Sequence, residues 1–307
     1  MTAPATPAAP ASGAPSAAVP SAVPALRKVP TRRVSFEESL RDVPRHFAGD
    51  GNLLLSHLFA AMSSVFPDGE DYFVRSVRRF RDDITDPELR TAVAGFIGQE
   101  SVHGREHRAL NARFAELGYP TRTFERLTRR ALRFRERIAS DRMNLAATAA
   151  LEHFTAVLAE LPMTQAEARD AIGHPAVRDL FLWHALEESE HKAVAFDVYR
   201  AVGGTERMRI LTMKLIRVGL VVSMGFLVMV SLLGDRAAWR PGALRRSWAR
   251  FKLSPIMQPE VWHALCEYDR VGFHPDDRHT DHLVELWRAE LFGDDGRLNG
   301  ILSGSAA

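Results

Sequence analysis

Cysteine is nearly absent from this chain, since Cys266 is the only one among 307 residues. A single thiol excludes both an internal disulfide framework and a zinc cluster held by thiolates. It also fits a reducing compartment, and we therefore expect a cytoplasmic protein. Any metal site in this chain has to be built from carboxylates and imidazoles.

An excess of charge of one sign is missing as well. Lysine and arginine number 40 against 38 for aspartate and glutamate, so the formal charge of +2 gives no reason to expect a nucleic acid partner. The sequence also has no His-Glu-x-x-His motif, no Gly-x-Ser-x-Gly elbow, no phosphate-binding glycine loop and no dinucleotide fingerprint. These absences exclude zinc proteases, serine hydrolases and nucleotide-dependent enzymes of those kinds.

The start of the chain has no charged side chain before Arg27, and prolines interrupt it throughout. A secretory signal needs a basic start and an unbroken apolar stretch, so we predict a disordered segment over residues 1–33 and no signal peptide. Helical periodicity dominates the rest and predicts an all-α protein. We divide it into a helical bundle at 34–205, an apolar and basic helical segment at 206–253, and C-terminal helices with a tail at 254–307.

Capping residues, prolines and glycines predict where the helices begin and end. Pro67 is expected to end an apolar helix, after which Asp68 caps a second one. Thr164 and Glu167 resemble a capping box. The other predicted helices run from Pro87 to Gly118, from Arg122 to Arg137, from Asp141 to Glu160, from Thr164 to Gly173, from Pro175 to Gly203, and as two short helices between Pro255 and Phe292.

Two segments share the spacing Glu-x-x-His, namely Glu100 with His103 and Glu188 with His191. Residues three apart lie on the same face of a helix, so each pair can direct an oxygen and a nitrogen at one point. One such pair arises easily by chance. Two pairs on separate helices are the arrangement that a four-helix bundle uses around a dinuclear carboxylate centre.

Such a centre needs one further glutamate from each of the other two helices. Glu70 precedes the first pair, and Glu152 lies between the two pairs on a face that it shares with Leu145, Ala149 and Ala156. An unpaired carboxylate on an apolar face is strongly destabilising, and binding a divalent cation removes the penalty. We therefore predict a ferritin-like four-helix bundle with additional helices. The predicted metal ligands are Glu70, Glu100, His103, Glu152, Glu188 and His191.

Other polar residues lie beside these ligands along the chain. Each is either an additional ligand, an outer partner that orients a ligand, or a satisfied polar residue beside the site, and we favour the last. Glu190 is expected to face away from Glu188 and to be solvated. The candidates for an additional or outer role are His107, His153, His184 and Glu187.

An apolar run of seventeen uncharged residues extends from Val218 to Gly234. A spanning helix needs about twenty such residues, so this run predicts either a membrane segment at the short limit or a helix packed in a core or against a partner. Basic residues follow at 236–252, which suits anionic lipid headgroups on the cytoplasmic side. We expect membrane contact through 211–252, with the protein associated with or anchored in the inner membrane.

Around the predicted ligands the sequence resembles the bacterial family of predicted metal-dependent hydrolases. The resemblance extends over about residues 34–292 and implies metal dependence, while the ligand pattern itself is similar to ferritin-like di-iron proteins. The matching segments are Phe66–Glu70, Gln99–His103 with His107, Glu152 with His153, and Trp183–Lys192 leading into 194–199.

The ligand types first predict a di-iron oxidoreductase in which Glu100 and Glu188 bridge two Fe(II) ions. It would need dioxygen, an electron donor and a small-molecule substrate, and the basic and apolar segment hints at a lipid-like one. Manganese or zinc are alternative metals. The family resemblance implies a metal-dependent hydrolase instead, in which two ions generate a hydroxide nucleophile. A non-catalytic metal-binding protein is the third hypothesis.

Overall fold

The computed structural model describes residues 29–302. Within this range the chain forms helices and loops without a strand, and a single β-bridge joins Val34 to Leu302. The protein is therefore all-α over the described residues, as predicted. Residues 1–28 of the segment predicted to be disordered, and 303–307 of the predicted tail, lie outside the described residues.

The α-helices are numbered in chain order, and short 3-10 turns occur between several of them. They are α1 (Leu53–Arg78), α2 (Pro87–Glu116), α3 (Thr121–Ile138), α4 (Asp141–Thr164), α5 (Ala166–Ile172), α6 (Pro175–His191), α7 (Val194–Ala201), α8 (Glu206–Leu233), α9 (Ala243–Phe251), α10 (Pro259–Glu267) and α11 (Asp281–Phe292).

The first helix continues through Pro67, so the prediction of two helices separated at that residue is wrong. A proline cannot donate the hydrogen bond that the carbonyl of Ser63, one turn earlier, would receive. The side-chain amide of Asn111 on α2 donates to that carbonyl at 3.0 Å instead. Asp68 caps no helix and accepts a hydrogen bond from Arg129 of α3. Neighbouring helices thus supply what the local sequence lacks.

The predicted end of α4 and the predicted capping box are also wrong. The helix continues past Pro162 to Thr164, because a proline in the last turn removes only one intrahelical hydrogen bond. Thr164 is consequently helical, and its hydroxyl donates to the carbonyl of Glu160 at 2.6 Å. The N-cap of α5 is Gln165, which makes no side-chain capping bond.

The single helix predicted from Pro175 to Gly203 is two helices, because α6 ends at His191 and α7 begins at Val194. At the break Lys192 is buried, and its ammonium donates to the hydroxyl of Thr280 at 2.9 Å and to the carbonyl of Arg278. A side chain that reaches across to the C-terminal segment is a long-range contact, which helical periodicity does not reveal.

Four helices enclose the interior, with α1 packed along α2 and α4 packed along α6. One apolar cluster includes Phe114 and Leu182, and another includes Phe96 and Leu145. The additional helices cover this group from outside: α3 and α8 contact α1, α10 contacts α4, and α11 contacts α6. The polar side chains described next lie on the inner faces of α1, α2, α4 and α6.

The apolar segment at 218–234 forms most of α8, which packs against α1 and α4. Of the described helices it is the one long and apolar enough to cross a membrane, which by itself is weak evidence for a span. Only 17% of its most apolar window is buried inside the protein, so α8 is not a fully buried core helix.

Candidate metal centre

The six predicted ligands converge from four helices into one buried cluster. Each of them exposes at most 3% of its surface. Their spacing on the helices explains this, because residues three apart share the inner face of α2 or α6. The set comprises Glu70 of α1, Glu100 and His103 of α2, Glu152 of α4, and Glu188 and His191 of α6.

One half of the cluster is centred on His191. Its Nε2 lies 3.0 Å from Oε1 of Glu100, 3.2 Å from Oε2 of Glu152 and 3.6 Å from Oε2 of Glu188. The other ring nitrogen, Nδ1, lies 2.8 Å from Oε1 of Gln99 and donates its proton there. Gln99 therefore fixes the ring so that Nε2 faces the three carboxylates.

The other half is centred on His103. Its Nδ1 lies 3.9 Å from Oε2 of Glu100 and 3.9 Å from Oε1 of Glu188. Nε2 of His184 lies 2.8 Å from the same Glu188 oxygen and 3.9 Å from Oε1 of Glu70. Glu100 and Glu188 thus belong to both halves, because each turns one oxygen toward His191 and the other toward His103.

Most atoms that face this cluster make no hydrogen bond. These atoms are both carboxylate oxygens of Glu70, Glu100 and Glu152, Nδ1 of His103 and Nε2 of His191. Four ionised carboxylates carry the negative charge that two divalent cations would neutralise, and buried charge without such compensation is strongly destabilising. The residues present therefore fit a pair of divalent metal ions.

The electrostatics of the cluster favour uptake of either protons or cations. Burial, together with the neighbouring carboxylates, raises the pKa of Glu70 and of Glu152 well above the usual range. Burial also favours the neutral form of Glu188, but His191 and His184 outweigh it and hold the pKa of this carboxyl well below its usual value. Protons and metal ions consequently compete for the same oxygens.

Three of the four residues left open by the sequence lie in or around the cluster. His184 is close enough to Glu70 and His103 to share a metal ion with them. Its Nδ1 lies 2.6 Å from Nε2 of His107, and Nδ1 of His107 lies 2.9 Å from the hydroxyl of Ser63. His107 therefore orients the ring of His184. The third, Glu187, contacts Nε2 of His103 at 3.0 Å.

His153 does not belong to the cluster. Its Nε2 lies 3.0 Å from the carbonyl of Ala264, and its ring packs against Tyr268 and Phe273. Adjacent helical residues point about 100° apart, so a side chain next to Glu152 cannot share its direction. In this structure His153 is therefore a satisfied polar residue beside the site, which is the alternative that we favoured from the sequence.

Glu190 is buried, and the prediction that it is solvated is wrong. Both of its oxygens accept hydrogen bonds from Arg32 at 2.7 Å, and one also accepts from Arg288 at 2.8 Å. Nε2 of Gln99 donates to Glu190 as well, at 2.8 Å. The chain before the first helix folds back over α6, a long-range contact that brings Arg32 to Glu190.

Three residues of the centre were not singled out from the sequence. The hydroxyl of Thr155 donates to Oε2 of Glu188, and Gln99 holds His191 as described. A side chain on Gly104 would place its Cβ 3.1 Å from Oε2 of Glu70, so glycine leaves room for that carboxylate. The three-residue spacing between Glu152 and Thr155 is the one signal that could have indicated Thr155.

A cavity of about 90 Å³ lies beside the centre. His184 and Glu188 form its polar end, and the remaining lining is largely apolar, with Phe59 and Leu158 among the side chains. Residues 254–256 also line it. An apolar cavity that ends at a carboxylate and an imidazole can place a small, mostly apolar molecule next to bound metal.

A comparison with protein families gives a match over residues 30–279 to the family described as predicted metal-dependent hydrolase. The chain belongs to this family. The matched range includes Arg32 and the four helices that carry the cluster. All the buried glutamates and histidines of the cluster therefore lie within the part of the chain that matches the family. No curated protein and no solved structure matches the chain.

Another histidine and carboxylate cluster lies where α8 ends. Oδ2 of Asp235 is 2.7 Å from Nε2 of His46 and 3.0 Å from Nε2 of His57, and Nδ1 of His57 lies 2.6 Å from the hydroxyl of Ser231. Arg45 is 3.5 Å from the same Asp235 oxygen, which disfavours a cation at that point. The cluster is a hydrogen-bonded link that attaches the end of α8 to α1.

Proposed function

We propose that the protein is an enzyme that uses two divalent metal ions in a ferritin-like arrangement of α1, α2, α4 and α6. The observation that carries this proposal is the set of buried carboxylate oxygens that have no hydrogen-bond donor. The ligands would be Glu70, Glu100, His103, Glu152, Glu188 and His191, whereas His184, held by His107 beside Glu188, would stay unligated. Glu100 and Glu188 each direct one oxygen toward His103 and the other toward His191, so both residues would hold both ions.

Iron is the metal that we expect first, with manganese or zinc as alternatives, because carboxylates and imidazoles suit these ions. When bound, such a pair of ions supplies Lewis-acid activation of water and of a scissile bond, or, if redox-active, reduction of dioxygen. The residues of the chain hold the ions, orient the imidazoles through Gln99 and Glu187, and keep bulk water out of a buried site.

Hydrolysis of an ester, amide or phosphate is the reaction that membership of the metal-dependent hydrolase family supports. His184 is placed for proton transfer in such a reaction, because this residue lines the cavity and its Nε2 lies 2.8 Å from Glu188. Its other nitrogen is hydrogen-bonded to His107 at 2.6 Å, so the ring can exchange a proton without rotating. The apolar lining of the cavity favours a small, lipid-like substrate.

Oxidation of a substrate with dioxygen is the second candidate function. It is favoured by the donor set, since the order Glu, Glu-x-x-His, Glu, Glu-x-x-His is the one used by ferritin-like di-iron proteins. This function requires an external electron donor as well as dioxygen. The cavity beside the centre favours both catalytic functions over a non-catalytic metal-binding role.

The experiment that tests the proposal is metal analysis with Mössbauer spectroscopy on anaerobically purified protein, before and after exposure to oxygen. Two bound ions per chain are expected. Redox-silent ions, with turnover of model esters or phosphates in the absence of oxygen, would support hydrolysis. A coupled diferric signal that forms on exposure to oxygen would support the oxidative function. Protein that binds no metal after supplementation would contradict both.

The substitution Glu152→Gln and the matched control Glu116→Gln distinguish loss of a metal ligand from the general effect of replacing a glutamate. Glu152 is fully buried in the cluster, whereas the side chain of Glu116 is 66% exposed at the end of α2. The first change should lower the metal content and the second should leave it unchanged. Equal metal content in both variants would remove Glu152 from the proposed ligand set.

A further inference from the structure

One face of α8 has no partner within the described chain. The side chains on this face are apolar, lie three or four residues apart, and each exposes more than half of its surface. We call this set the α8 stripe. It consists of Leu215, Val218, Val222, Phe226, Met229 and Leu233. An apolar stripe of this length on an exposed helix marks an interaction surface.

The opposite face of α8 is fixed to the rest of the protein. Leu227 packs with Ala61 of α1, and Ser231 is bonded to His57 of the same helix. Arg217 is buried and donates to Asp269 at 2.7 Å. These contacts hold α8 along the surface of the bundle and leave the stripe facing outward.

A strongly basic segment follows directly. Residues 236–253 contain six arginines and lysines and no acidic residue. Trp239 is 68% exposed, and its indole donates to the carbonyl of Leu233 at 3.2 Å, so this ring extends the stripe. Trp248, on α9, is 48% exposed. Tryptophan beside arginine and apolar side chains is the composition of helices that lie in a membrane interface.

The cavity beside the metal centre has its outer wall at the end of this segment. Ser254, Pro255 and Ile256 line the cavity, and the residues on either side are exposed, with Leu253 at 79% and Met257 at 45%. The basic and apolar surface therefore continues to the wall of the cavity.

We propose that the α8 stripe, together with the basic segment 236–253, binds the surface of an anionic lipid bilayer, with α8 lying in the plane of the interface. The six basic side chains complement lipid phosphates, whereas a second copy of this chain would present the same positive charges to them. Delivery of a lipid-like substrate from the bilayer to the cavity rests on the proposed function. Binding to the bilayer does not, because it involves none of the metal ligands.

The test is flotation of the full chain with vesicles of phosphatidylcholine, with and without phosphatidylglycerol. The protein is expected to float with the anionic vesicles and to be partly released by salt, since ions screen the attraction. Replacing two stripe residues, in L215Q/V222Q, should abolish flotation. The matched control V271Q/L286Q changes two residues that are 76% and 60% exposed, against 67% and 66% for Leu215 and Val222, but lie outside the stripe, and it should float like the wild type.

The contribution of the basic segment to bilayer binding is tested with the variant R245Q/R246Q. Each arginine near an anionic surface contributes about 1 kcal/mol, so removing one should weaken binding about five-fold and removing both about 25-fold. The same vesicle assay on Glu152→Gln separates this proposal from the proposed function, because this variant should float normally whether or not it binds metal.

Three results would overturn the proposal. One is the absence of flotation with anionic vesicles. Another is retention of the protein in membranes after extraction with alkaline carbonate, which would indicate that α8 spans the bilayer. The third is a dimer in solution that L215Q/V222Q dissociates, without vesicle binding by the wild type, which would assign the stripe to a second copy of the chain.

Discussion

Nε2 of His103 lies 3.0 Å from Oε2 of Glu187, and both side chains are buried. This contact turns the other ring nitrogen toward Glu100 and Glu188. Glu187 is itself held by Arg32 at 2.9 Å. A carboxylate on the outer nitrogen of a metal-binding histidine fixes its tautomer and increases its basicity, so Glu187 is a positioning residue of the proposed centre.

The substitution Glu187→Gln should therefore lower metal affinity by about 10- to 100-fold while leaving every proposed ligand in place. Glutamine keeps the size of the side chain but has one acceptor oxygen in place of the two that contact Arg32 and His103. Competition with a metal-binding dye measures the affinity, and Glu116→Gln serves as the surface control. An affinity equal to that of the wild type would show that Glu187 does not support His103.

Glu152→Gln should have opposite effects on the metal-free and the metal-loaded protein. Burial raises the pKa of Glu152. At neutral pH this carboxyl is ionised in the unfolded chain, so burying it in the metal-free protein has a cost in folding free energy. Removing that cost should stabilise the metal-free protein by about 1–3 kcal/mol. With metal present, the lost ligand should make the variant less stable than the wild type. Urea unfolding with chelator and with added metal gives both values, and destabilisation of the metal-free protein would contradict this prediction.

Asn111 and Pro67 should be energetically coupled. Asn111→Ala removes the donor to the carbonyl of Ser63 and should destabilise the protein by about 1–3 kcal/mol. In a Pro67→Ala background residue 67 regains an N–H that can bond to this carbonyl, so Asn111→Ala should cost about 1 kcal/mol less. Unfolding of the two single variants and the double variant measures the coupling. Additive effects would contradict the account of how α1 continues through Pro67.

The cluster at the end of α8 should make stability fall in mild acid. Burial lowers the pKa of His57 to about 4, with Asp235 opposing the shift and His46 and Arg45 adding to it. Between its ordinary value near 6.5 and this value, the unfolded chain binds a proton that the folded chain does not. The free energy of unfolding therefore has its full value above this pH range and decreases as the pH falls through it.

Between about pH 7.5 and about pH 5 this loss should amount to about 2 kcal/mol. Urea unfolding of the wild type and of His57→Gln at both pH values measures it, since glutamine can form hydrogen bonds but does not titrate. The variant should be less stable at neutral pH and should show a weaker dependence on pH. An unchanged dependence would assign the acid sensitivity to other groups.

The sequence was sufficient to predict the six proposed ligands, because four of them form two pairs and the spacing within each pair is local to one helix. Glu100 with His103, and Glu188 with His191, are three residues apart, and this spacing alone puts each pair on one face. The all-α class followed in the same way from periodicity. The roles of His107, His184 and Glu187 remained open, because the spacing does not separate a ligand from its outer partner.

What the sequence could not give depends on contacts between distant residues. Arg32 precedes the helices and reaches Glu190 across 158 positions, so nothing near Glu190 indicated that it is buried. The continuation of α1 through Pro67 depends on Asn111 of α2. His153 follows Glu152 directly but turns to Ala264 of α10. Each case was decided by packing between helices, which overrides local preference.

The most direct test of the dinuclear centre is anomalous diffraction from crystals of the protein loaded with iron or manganese, collected at the absorption edge of that metal. The account predicts two peaks between Glu100 and Glu188, one beside His103 and one beside His191. A single peak, peaks outside the six side chains, or no peak after loading would contradict it.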